Sequence, residues 1–134
     1  MASNLPLLLL VLCSLNVAQC GLIVYNVYAR GLQPDPVGGA DGFVRIFCGS
    51  YFCHLCSASL TTRVYRNHAN PSWSEELANS RASPGARLEL QVYDKDVLFD
   101  DLLGVCSTTI QKGNHSNSCS LATGGTLYYS YTVF

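Results

Sequence analysis

The sequence has 134 residues, 49% hydrophobic and 13% charged, with a formal net charge of −1. A chain of this length makes one small domain, and its charge excludes general nucleic-acid binding, which needs a basic surface to neutralise phosphates. It holds only nine acidic residues, and every aspartate falls in one of two short stretches: Asp35 and Asp41, then Asp94, Asp96, Asp100 and Asp101.

The chain opens Met1-Ala2-Ser3-Asn4, runs through Leu5-Pro6-Leu7-Leu8-Leu9-Leu10-Val11-Leu12, and reaches small and polar residues ending Val17-Ala18-Gln19-Cys20. That is the layout of a secretory signal peptide, an apolar core followed by small residues at positions −3 and −1 of the cut. Ala18 and Cys20 fit those positions, so residues 1–20 read as the signal and Gly21 as the mature start. A cut after Ala18, with Asn16 at −3, is the other reading. The apolar run falls short of the ~20 residues that a membrane span needs. The expectation is a secreted, extracellular protein.

Seven cysteines in an exported chain imply disulfides. Cleavage after Cys20 leaves five, Cys48, Cys53, Cys56, Cys106 and Cys119, and cleavage after Ala18 leaves six. The pairing of Cys48, Cys53 and Cys56 stays open, as does a free or intermolecular thiol. Cys48, Cys53, His54 and Cys56 have spacing that zinc can use, but export favours disulfides there. Asn114-His115-Ser116 is a glycosylation sequon at Asn114, meaningful in an exported chain.

From Leu22 the chain reads as strand and turn in alternation. Residues 22–29 are rich in β-branched and aromatic side chains, and Phe43 to Phe47 alternates as a half-buried strand does. Arg63 to Tyr65, Leu88 to Tyr93 and Thr126 to Phe134 repeat the pattern. Gly, Pro, Asn and Asp clusters separate these runs, at Gln33 to Gly42, Asn67 to Pro71, Ser83 to Gly85 and Gln111 to Asn117. No stretch longer than a turn or two has helical period. Short strands at this spacing imply an all-β sandwich.

The two aspartate stretches lie in loops of that sandwich, where short carboxylates suit a hard cation. Calcium takes six to eight oxygen ligands, and in an extended segment Asp94 and Asp96 share a face. Such loops are otherwise solvated turns, for which Asp is favoured on local backbone grounds. Val97, Leu98 and Phe99, with Val37 on the first loop, are apolar residues that a soluble loop has no reason to expose; packing beneath the loop is the other reading. His54, His68 and His115 are the only histidines, and no nucleophile constellation accompanies them. The chain is not expected to be an enzyme.

Gly31-Leu32, Asp35, Asp41-Gly42-Phe43-Val44, Asn70-Pro71-Ser72-Trp73, Val92-Tyr93-Asp94-Lys95-Asp96 and Asp100-Asp101-Leu102-Leu103-Gly104 follow in the order of a C2 domain, and the sequence resembles that family over residues 21–134. Within it the likeness is to the C-terminal C2 domain of perforins. It rests on Asp100-Asp101 before Leu102-Leu103-Gly104-Val105-Cys106, on Cys119 before Leu121, and on Gly124-Gly125-Thr126-Leu127-Tyr128-Tyr129-Ser130-Tyr131. Tyr51 to Ser59 looks like an insertion, and the perforins' membrane-attack pore-forming domain is expected to be absent.

The resemblance implies an all-β, eight-stranded antiparallel sandwich of the permuted (type II) topology, with Trp73 in its core and Cys106 paired with Cys119. It implies calcium as cofactor, held by Asp35, Asp41, Asp94, Asp96 and Asp100 or Asp101. It implies an anionic or zwitterionic phospholipid membrane as partner, touched by Val37, Val97, Leu98 and Phe99, and a setting in immune defence. The function so implied is calcium-dependent membrane binding by a secreted domain. A secreted protein-interaction module on the same fold is the alternative, and a cytolytic toxin acting alone is a third.

Overall fold

The computed structural model describes residues 21–33, 39–49, 60–79, 82 and 84–133. The signal segment 1–20, Asp35 and Val37 of the first loop, and the Tyr51 to Ser59 stretch with Cys53, His54 and Cys56 lie outside the described residues.

Among the described residues the chain forms β-strands and no helix: β1 Leu22–Arg30, β2 Gly42–Gly49, β3 Leu60–Thr61, β4 Ser72–Trp73, β5 Leu77–Asn79, β6 Arg87–Asp94, β7 Asp101–Thr109, β8 Gly113–Ser120 and β9 Thr126–Val133. All pairings are antiparallel. One sheet runs β4-β1-β9-β8 with β5 also on β1, and the other runs β3-β2-β6-β7. β4 and β5 lie on one edge of β1, with Trp73 opposite Val27 and Leu77 opposite Val24. They are two pieces of a single strand position, broken at residues 74–76, so the nine segments fill eight positions. β9 sits between β1 and β8.

The core lies between the sheets and follows the period of two expected of half-buried strands. Leu88, Leu90 and Val92 of β6 meet Leu127, Tyr129 and Tyr131 of β9, and all are buried. β1 keeps Leu22, Val24, Val27 and Ala29 on the core face only because a bulge between Tyr25 and Tyr28 adds a residue. Asn26 absorbs it at φ 52°, a left-handed conformation that Asn adopts more readily than a β-branched residue does. Cys48 is a buried free thiol, and burial pushes its pKa up to about 11.

Two segments differ from the strand reading of the sequence. Arg63 to Tyr65 is not a continuous strand: regular pairing with β2 ends at Thr61, and Tyr65 returns as an isolated bridge to Gly42. The buried Thr62 causes the break, because its Oγ1 accepts the Val44 N–H at 2.9 Å in place of a backbone carbonyl. In contrast, Gly113 to Asn117, read as part of a turn cluster, begins a strand that pairs with β9 at eight successive positions. Gly, Asn and Ser are poor strand formers, but the ladder and the half-burial of His115, Asn117 and Cys119 override propensity.

β7 and β8 are outer strands of opposite sheets, and the Cys106–Cys119 disulfide joins them with Cα atoms 5.8 Å apart. Gly104 on β7 lets the sheets close beside it. A Cβ there would lie 2.8 Å from the Leu121 side chain and 2.9 Å from its Cα. Asn114 is exposed on β8, where its Oδ1 accepts a hydrogen bond from the Thr132 hydroxyl.

Candidate functional site

The pairing of three strands sets where the acidic loops lie. Gly42, the first residue of β2, is opposite Asp94, the last of β6, and Asp94 is opposite Asp101, the first of β7. The loop entering β2 and the loop between β6 and β7 therefore leave the same end of one sheet, and Asp41, Asp94 and Asp101 stand at its rim. Hydrogen bonds tie the two loops together. The Asp41 N–H donates to Asp94 Oδ1 at 2.8 Å, and the Lys95 N–H donates to the Asp41 carbonyl at 2.8 Å. Asp94 is only 8% exposed.

The segment Asn67–Trp73 braces the first loop from both sides. Before the loop, the Gly31 N–H donates to Asn70 Oδ1 at 2.9 Å, and the Leu32 N–H to the Ala69 carbonyl at 2.8 Å. After it, the Gly39 N–H donates to Asn67 Oδ1 at 2.8 Å, and the Asn67 N–H donates to Asp41 Oδ1 at 2.6 Å. Asn67 makes both contacts from φ 53°. Trp73 is buried, as the resemblance implied, and its Nε1–H donates to the Gly42 carbonyl at 3.2 Å. The bracing role of Asn67 was hidden in the sequence, where it reads only as a turn former; its spacing of three from Asn70 is the signal that was available.

In the second loop, Asp96 Oδ1 accepts the Val97 N–H at 2.7 Å, and Asp100 Oδ1 accepts the Asp96 N–H at 3.3 Å. Among the described residues, Lys95 Nζ lies 3.6 Å from Asp100 Oδ1, and an Arg66 guanidinium nitrogen 4.0 Å from Asp41 Oδ2. Such surface pairs contribute about 0–1 kcal/mol, so a divalent cation can displace them at little cost. The donors are carboxylate oxygens on loops, the chemistry that calcium takes. Among the described residues, however, no three acidic, histidine or cysteine side chains converge closely enough to hold a metal. Asp41 is hydrogen-bonded to Asp94, which stands opposite Asp101 in the ladder, Asp96 is hydrogen-bonded to Asp100 within their own loop, and Asp35 lies outside the described residues.

Beyond the carboxylates, Val97, Leu98 and Phe99 are 96%, 84% and 80% exposed. They do not pack beneath the loop. Leu102, at the start of β7, is also exposed.

The C2 domain family model matches residues 20–123. Perforin-1 of Rattus norvegicus is 34% identical over 106 residues, covering 77% of this chain and 18% of the rat protein. Perforin-1 of Mus musculus is 32% identical over 113 residues, covering 82% of this chain and 19% of the mouse protein. The chain thus spans about a fifth of the length of these relatives. A solved structure described as that of a C2 domain superposes with a TM-score of 0.78 at 45% identity, covering 85% of this chain and 97% of that one. The order of the motifs, the two-sheet sandwich and these similarities lead to one conclusion: the chain belongs to the C2 domain family.

Proposed function

We propose that this is a secreted C2 domain protein that binds calcium at its acidic loop end and then docks on phospholipid membranes. The observation that carries the reading is the exposure of Val97, Leu98 and Phe99 between Asp96 and Asp100. An apolar tip flanked by carboxylates suits a surface that is first polar and then apolar.

Asp41, Asp94, Asp96, Asp100 and Asp101, with Asp35 from the first loop, would hold the ion. Without it, the carboxylates repel one another, and they repel anionic headgroups too. Bound calcium supplies positive charge that removes this repulsion and takes lipid oxygens as further ligands. The Asp94–Asp41 bond holds the two loops together, so charge and apolar tip arrive at the membrane as one unit. Attraction of this kind is screened by salt over about 8 Å at physiological ionic strength, whereas the apolar contact is not. The perforin likeness extends the reading to a role in immune defence.

Liposome co-sedimentation tests it. The mature protein should sediment with phosphatidylserine and phosphatidylcholine vesicles in millimolar calcium, and should stay in solution in chelator. Asp94→Asn with Asp96→Asn should abolish the calcium response without unfolding the domain. Absence of sedimentation in both conditions would sink the membrane reading and leave the acidic loops as a protein-binding surface. Dye release from intact vesicles would point to the cytolytic alternative.

A further inference from the structure

The sheet that carries β1, β9 and β8 has a second face, turned away from the core. Along β9 Leu127, Tyr129, Tyr131 and Val133 point to the core and Tyr128, Ser130 and Thr132 to the second face, where Ser130 is nonetheless buried. Tyr128 is opposite Tyr28 on β1 and Ser118 on β8, and Ser130 is opposite Tyr25 and Ser116. The rings of Tyr28 and Tyr128 stack at 4.7 Å with 10° between their planes. Ser116 Oγ and Ser130 Oγ are hydrogen-bonded at 2.9 Å.

Beside the Asn26 bulge this face holds an open groove of about 290 Å³, lined by Asn26, Tyr28, Ser116, Ser118, Tyr128 and Ser130, and reaching Asn117 and Tyr129, which pair on the core face. Every lining side chain is an amide, a hydroxyl or a phenol, and none is charged. From this lining we infer that the groove is a binding site for a neutral glycan.

A sugar ring carries hydroxyls that both donate and accept, which serine hydroxyls and asparagine amides complement one for one. It also carries C–H faces that rest on aromatic rings. A hydrocarbon ligand would cover the Asn26 amide and the Ser118 hydroxyl while offering them no hydrogen bond. An anionic ligand would find no cation in the groove. The nearby Arg30 guanidinium lies 4.8 Å over the Tyr28 ring and donates to its neighbour's carbonyl at 3.0 Å. A peptide strand finds no free edge on this face, because β1 and β9 are inner strands of the sheet. The volume sits near the lower bound of about 300 Å³ for ligand clefts, which suits a terminal sugar or a short branch. Mid-strand placement puts a glycan on the flank of the sandwich and leaves the acidic loop end free, so its binding should not depend on calcium.

The test is an array of neutral, sialylated and sulfated oligosaccharides probed with the mature protein in chelator, followed by NMR titration with the oligosaccharides retained. Neutral glycans should bind in chelator and shift the amides of Asn26, Ser116 and Ser118. Ser118→Tyr, at an exposed position of an outer strand, should fill the groove and weaken binding at least about tenfold, or about 1.4 kcal/mol, with thermal stability unchanged. Asp94→Asn with Asp96→Asn should leave glycan binding intact, so this site and the calcium site fail independently. Tyr28→Ala should also abolish binding; if it does not fold, Ser118→Tyr and the amide shifts still decide. Retention of acidic glycans alone, no retention of any glycan, or undiminished binding by a folded Ser118→Tyr would each overturn the inference.

Discussion

Phe99 shows most directly how one side chain can carry the proposed activity. It is 80% exposed in a domain that buries most of its apolar residues between two sheets. Its removal should leave folding almost untouched. Phe99→Ala should lower calcium-dependent vesicle affinity by roughly 10- to 100-fold, the equivalent of about 1.5–3 kcal/mol of apolar burial, with an unchanged melting curve. Co-sedimentation over a range of vesicle concentrations measures this, and an unaltered affinity would place the membrane contact elsewhere. The aspartates were legible because all six fall in two short stretches, and the triplet because apolar residues are out of place in a soluble loop. Asn67 was not: its work lies in a left-handed backbone and two hydrogen bonds to a loop remote in sequence, and residue type alone does not report such contacts.

At the scale of elements, strand legibility followed how much apolar pattern each strand needed. β2, β6 and β9 are buried on one face and alternate visibly in the sequence. β8 was hidden because Gly113-Asn114-His115-Ser116-Asn117-Ser118-Cys119-Ser120 contains turn formers throughout and covers only the margin of the core. Its place is secured by the ladder to β9 and by Cys119, whose bond to Cys106 clamps the outer strands of the two sheets. Closing a loop of this size contributes about 3 kcal/mol on the chain-entropy estimate. The Cys106→Ala, Cys119→Ala double variant should therefore melt roughly 10 °C lower, with amide exchange accelerating first in β8. Calorimetry and hydrogen exchange check this, and an unchanged melting temperature would show that strand pairing alone holds β8.

For the whole molecule, calcium binding and stability are linked. An ion that binds only the folded state stabilises it by about 2.7 kcal/mol at a hundred times its dissociation constant. Saturating calcium should raise the melting temperature by several degrees, and Asp94→Asn with Asp96→Asn should remove the rise. Differential scanning calorimetry in calcium and in chelator reads both, and equal melting temperatures in the wild type would argue against a loop-end calcium site. The Lys95–Asp100 and Arg66–Asp41 pairs set a small competing term. Raising ionic strength weakens them along with membrane attraction, so the stability gain and the vesicle affinity should respond to salt differently.

The position of β9 between β1 and β8 also governs how the domain is made. Leu22 is paired with Val133, so the first described strand waits for the last before either is secure. Contacts this distant along the chain slow folding, since the connecting segment must surrender its freedom before they form. A ribosome still holding residues 126–133 holds back the partner of both β1 and β8. Until they emerge, the five-stranded sheet lacks its middle, and the hydrophobic faces of β1 and β6 are open to chaperones or to a neighbouring nascent chain.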